Sequence, residues 1–157
     1  MTHGDIIDTL TGLIKVCKDG LQGCLACAEH VGVGSPKLTA LLSTCRRGYA
    51  SAAEALQALS IEQGADSAKD AAGDATPVCA LLRGEPCMRS ISARMGEVAV
   101  LEACERVEER AKVAYQKALV KGLPSSVRAV VEQQYLGLLR NREQLRALLY
   151  ESKHAPR

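Results

Sequence analysis

The chain has 157 residues, 47% of them apolar and 24% charged, with a net charge of +2 and neither Phe nor Trp. That is the balance of a globular domain large enough to bury a real core. The weak charge, only 4 Tyr and no Lys/Arg run interleaved with aromatics exclude a nucleic-acid surface, and no apolar stretch approaches the length of a membrane span.

The first predicted helix covers about residues 5–31. Ile6, Leu10, Leu13, Cys17, Gly20, Cys24, Cys27 and Val31 recur at alternating steps of four and three, and Ile7, Ile14, Leu21 and Ala28 widen the stripe. This is the seam of a helix that packs in a bundle. Gly20 and Gly23 interrupt it, each at a cost of about 1 kcal/mol against Ala. Such positions mark close approach of a neighbouring backbone or room for another group.

Val31-Gly-Val-Gly-Ser35 reads as a stop followed by a start, with Ser35 as cap and Pro36 at the first helical position. The second helix is expected over residues 36–63, with Leu38, Leu41, Leu42, Cys45, Gly48, Tyr49, Ala52, Ala55, Leu56 and Leu59 inward. Gly64 to Pro77 is rich in Gly, Ala, Asp and Ser and predicts a long loop. A third helical region is expected over residues 86–121, broken near 95–96. Its strong part turns Val100, Leu101, Cys104, Val107, Glu108, Ala111, Ala114, Tyr115 and Ala118 inward. Gly122-Leu-Pro-Ser125 closes it and opens the last helix, about 125–152, whose inner face carries Val127, Val131, Tyr135, Leu138, Leu145, Leu148 and Leu149.

Short turns between helices 1 and 2 and between 3 and 4 make antiparallel hairpins. The long connection between the hairpins predicts an all-α four-helix bundle of ferritin-like topology, with one crossover between helices 2 and 3 and residues 1–157 forming a single domain.

Several segments resemble a known family. Cys17-Lys-Asp-Gly-Leu-Gln-Gly23 with Ala28-Glu29, and Cys104-Glu-Arg-Val-Glu-Glu109 with Tyr115 and Ala118-Leu119, are two of them. Leu123-Pro124 and Val130-Val-Glu-Gln-Gln134 are the others. Together they resemble the bacterial ferritin-like four-helix bundles grouped as a domain of unknown function. Their motif is Cys-Glu-Arg-Gly-Glu-Asp, with Val107 here in place of Gly. Met88-Arg89-Ser90-Ile91 stands where that family often has His-Arg-x-Trp, Arg142 where it often has a His, and Cys24 where it often has an aromatic. The resemblance implies the fold and no particular activity.

The chemistry-bearing residues are the 7 Cys. Met-Thr-His-Gly-Asp at the N-terminus lacks the basic and apolar regions of a signal peptide, so a cytoplasmic setting is expected. Reduced thiols fit that setting and the odd count. Cys24-x-x-Cys27 puts two sulfurs on one helix face, with Cys17 two turns earlier on the same stripe. Cys45 and Cys104 face them from the second and third helices, and Cys87 with Met88 adds sulfur from the crossover end. Thiolate and thioether ligands favour Cu(I); Zn and Fe are the weaker candidates.

The expectation is therefore a non-catalytic bundle that stores or buffers Cu(I) through Cys17, Cys24, Cys27, Cys45 and Cys104, with Cys87 and Met88 at one end. Three other expectations stand beside it. The thiols are core packing in a structural or interaction module. A di-iron centre draws on Glu29, Glu54, Glu105, Glu108 and Glu132, although the chain has no Glu-x-x-His and only His3, His30 and His154. A homodimer forms through apolar residues such as Leu139 and Val130.

Overall fold

The computed structural model describes residues 2–31, 35–65 and 96–154, with the backbone alone described at His30 and Val31. Each helix begins or ends where local chemistry satisfies its free backbone groups. Helix α1 (His3–Val31) opens on a capping box. In it Asp5 N donates to Thr2 Oγ1 at 3.2 Å and Thr2 N donates to Asp5 Oδ2 at 3.0 Å. Helix α2 (Pro36–Glu62) is capped by Ser35, whose side chain accepts from Leu38 N at 3.4 Å. It ends in a Schellman motif, with Gly64 N bonded to Ile61 O and Ala65 N to Ser60 O. Gly64 sits at φ +101°, which favours glycine.

Helix α3 (Gly96–Leu119) and helix α4 (Ser125–Lys153) follow. The turn between them is held partly from α4, where Arg128 donates to Leu119 O at 2.9 Å. The crossover, the short helix expected near Pro86, and Cys79, Cys87 and Met88 lie outside the described residues.

Contacts between helix ends fix the directions. His3 meets Gln63 at 3.1 Å and Lys121 donates to Thr9 at 3.4 Å. The start of α1, the end of α2, the end of α3 and the start of α4 therefore share one end of the bundle. At the other end Ser35 donates to Glu97 at 3.0 Å, Lys37 pairs with Glu151 at 3.7 Å, and Lys153 pairs with Glu102 at 3.6 Å. Thus α1 and α4 run one way, and α2 and α3 the other. α1 packs on α2 and α3, and α4 on α3 and α2. None of the described helices is long and apolar enough to cross a membrane.

The expected stripes form the core, except that Ala28 at the edge of the α1 stripe is exposed. Leu10, Leu38, Leu56, Leu101, Leu145, Val100, Val127 and Val131 are essentially sealed from solvent. Two expectations on α2 are corrected. Gly48 and Ala55 are exposed, because they line an open groove between α2 and α4.

Gly20 is buried for a specific reason. A Cβ added there would lie 2.5 Å from the Tyr49 ring, so the aromatic lies directly on the α1 backbone. By helix propensity alone, Gly20→Ala would stabilise by about 1 kcal/mol. The clash reverses the sign, and denaturant unfolding of Gly20→Ala should show a loss of about 1–3 kcal/mol. Gly12, with nothing within 4 Å of its added Cβ, should show the propensity gain when changed to Ala. Equal gains at both positions would refute this packing.

Candidate metal centre

The alternation of four and three along α1 brings Cys17, Cys24 and Cys27 to its inner face. The same geometry places Cys45 on α2 and Cys104 on α3 inward. All five are free thiols and buried. They are not one group. Cys24 faces Cys45 across α1 and α2, and that neighbour followed by burial drives its pKa well above the ordinary thiol value. Cys104 faces Cys27 across α3 and α1, and that neighbour followed by burial raises it in the same direction. The two pairs lie within electrostatic reach of each other.

A small cavity of about 10 Å³ opens among them, lined by Cys24, Cys45, Cys104 and Glu108, with Gly23 and Leu42 in its walls. That is room for about one water molecule. Glu108 is 2% exposed, and its Oε2 has no hydrogen-bond partner. Burial lifts its carboxyl to about 7, against the opposing pull of Tyr49, Cys45 and Arg142. The Tyr49 hydroxyl lies close to this carboxyl without completing a hydrogen bond of good geometry, and it has no other partner. Arg142 stands on α4 beside this group but is held by Glu109, Nη2 to Oε2 at 2.7 Å.

Cys17 stands apart. Its sulfur is 3.2 Å from the Tyr115 hydroxyl, which donates to Gln134 Oε1 at 2.8 Å. Gln134 Nε2 in turn donates to Ala52 O at 3.4 Å. Either the Cys17 thiol or the Tyr115 hydroxyl can donate in this contact. Burial raises Cys17 to about 11, against the lowering effect of that bond. This chain of bonds links all four helices at one level.

The groove between α2 and α4 has a volume of about 470 Å³. Its lining includes Cys45, Tyr49, Gly48, Ala52, Gln133 and Asn141. Of the carboxylates expected for a di-iron centre, Glu29, Glu54 and Glu132 are exposed and Glu105 is half-buried, leaving Glu108 alone inside. Among the described residues, no group of three or more His, Cys, Asp or Glu is arranged to hold a metal ion. The sulfurs meet as pairs instead. Pattern reading placed Glu108 on the inner face but missed its contact with Cys45 and Tyr49. The one signal was its position a single helical turn beyond Cys104, on the same face.

Residues 5–121, more than half of the chain, match the family model described as a domain of unknown function (DUF2383), and the chain belongs to that family. No curated protein matches it.

Glu108 supplies a pH test. Its folded pKa of about 7 lies above the ordinary 4.5, so the folded state holds a proton that the unfolded state has released. Stability is therefore full below about pH 4.5 and falls as the pH rises toward 7. The shift is equivalent to roughly 3 kcal/mol. Glu108→Gln keeps the shape without the charge. The metal-free variant should unfold at higher temperature than the parent at pH 8, with the gap closing by pH 4. Asp19, raised to about 6 by burial against Lys15 and Arg110, titrates in both proteins and cancels from the comparison. A gap independent of pH would refute the assignment.

Proposed function

We propose that this DUF2383 protein is a small, non-catalytic cytoplasmic bundle that binds Cu(I) through its inward thiols and serves as a store or buffer. The observation that carries this reading is that Cys24 faces Cys45 and Cys27 faces Cys104, with Cys24, Cys45 and Cys104 lining one small cavity. Soft thiolates select Cu(I), and two sulfurs complete its coordination, so each pair is a full ligand set. Structural Zn asks for four ligands in a tetrahedron, and Zn and Fe therefore rank behind. The raised pKa values of Cys24 and Cys104 keep those thiols protonated and unreactive without metal, so binding must release protons and strengthen as the pH rises.

Cys17, engaged with Tyr115, drops out of the ligand set. Cys87 and Met88 remain sulfur donors proposed on sequence alone. A second reading, a structural or interaction bundle with cysteine as packing, is favoured by the lack of any three-ligand group among the described residues.

Anaerobic titration of the reduced protein with Cu(I) against a chromogenic chelator separates the two. Two tightly held equivalents are expected from these pairs. Cys24→Ser/Cys45→Ser and Cys27→Ser/Cys104→Ser should each lose one, and Cys17→Ser none. Unchanged binding after all four substitutions would end the proposal. Failure of the parent to compete with the chelator would establish the packing reading.

A further inference from the structure

Cys45 borders two spaces at once. On one side is the small cavity it shares with Cys24, Cys104 and Glu108. On the other is the groove between α2 and α4. Of the five bundle thiols it alone lines that groove. The α2 wall there is built from Gly48, Ser51, Ala52 and Ala55, and the α4 wall carries the amides of Gln133 and Asn141. A Cβ on Gly48 would first meet Asn141 Nδ2, at 3.7 Å, so a longer side chain grown there reaches across toward α4. A volume of about 470 Å³ with mostly apolar walls and a few polar groups is that of a small-molecule site.

We propose that this groove is the loading route of the thiol centre, and that Cys45 receives Cu(I) carried by a small thiol compound bearing amide groups. The proposal rests on the Cu(I) reading above and names the donor. The carrier sits with its amides toward Gln133 and Asn141 and its sulfur toward Cys45. The copper–sulfur bond to the carrier breaks as a copper–sulfur bond to Cys45 forms. The Cys45 thiol proton ends on the departing carrier sulfur. No electron is transferred, and protons and charge balance. Cys24, which faces Cys45, supplies the second sulfur as the bond from copper to a second carrier thiolate breaks, and the Cys24 proton leaves on that thiolate. Cys104 lines the inner cavity beside Cys24 and Cys45, so copper passes inward to the Cys27–Cys104 pair from there.

The test is stopped-flow loading from the Cu(I)–glutathione complex, comparing the parent with Gly48→Leu. Gly48 is an exposed helical residue, so Leu there favours the helix and the variant folds. Loading should slow by roughly tenfold or more, with the copper bound at equilibrium unchanged. Gly12→Leu, on an exposed position of α1 with no neighbour within 4 Å, controls for the helix effect and should load at the parent rate. A second readout uses no metal. Alkylation of the native protein with iodoacetamide, mapped by mass spectrometry, should modify Cys45 before Cys17, Cys24, Cys27 or Cys104, and Gly48→Leu should retard it.

Unchanged loading in Gly48→Leu, or Cys24 or Cys104 labelled ahead of Cys45, overturns the route while leaving Cu(I) binding intact. A parent that takes up no Cu(I) overturns the metal reading and with it the copper donor. In that case the labelling order still decides whether the groove leads to Cys45.

Discussion

Glu108 reaches the middle of the bundle, where it is shielded from water and where the nearest full positive charge, Arg142, is already engaged by Glu109. A buried carboxylate with no dedicated counter-ion is costly, so the group keeps its proton up to about neutral pH. Its neighbours follow from that need. Cys45 and Tyr49 come from α2, Cys24 approaches from α1, and each offers a weakly polar or hydroxyl group where a leucine would offer none. Sulfur is polarizable and small, and it fills a space that an aromatic would overfill. Tyr49 then fits only because Gly20 withholds a side chain.

One level further along the bundle, the same problem is solved in a different way. Cys17, Tyr115, Gln134 and the Ala52 carbonyl pass hydrogen bonds from helix to helix until a backbone acceptor closes the series. Every side chain in it has a partner. Around Glu108, by contrast, one carboxyl oxygen and the Tyr49 hydroxyl remain unpaired. Buried polar groups are ordinarily satisfied. A satisfied network with one thiol beside an unsatisfied one with several separates a layer that holds the helices together from a layer with capacity left over.

Much of this architecture was readable from spacing. Ile6, Leu10, Leu13, Cys17, Cys24 and Cys27 fall on one stripe because a helix must bury one face, and they are buried. Ser35 and Pro36 announced the start of α2 because capping chemistry is local. Gly48 and Ala55 were misplaced because small residues fit a tight interface and an open one equally well, and only the groove between α2 and α4 decides between them. The thiol pairs were not readable, since they depend on the relative rotation of whole helices. Spacing put Cys17, Cys24 and Cys27 on one seam, yet their partners are Tyr115, Cys45 and Cys104. Likewise, nothing in the spacing pairs Arg142 with Glu109.

The Gln134 bond to Ala52 has a mechanical consequence. Among the described residues it is the one part-buried polar tie between α2 and α4, and the Lys37–Glu151 pair near the far end is open to solvent and salt. The groove lies on both sides of the Gln134–Ala52 bond, from Cys45 to Ala55 on α2 and from Val130 to Asn141 on α4. Few polar ties among the described residues thus oppose a local parting of α2 from α4 along this groove. Backbone amides of α2 near Cys45 exchange with solvent through this local opening, at a free energy below that of global unfolding. Those of α1, packed against both α2 and α3, wait for the whole bundle to come apart.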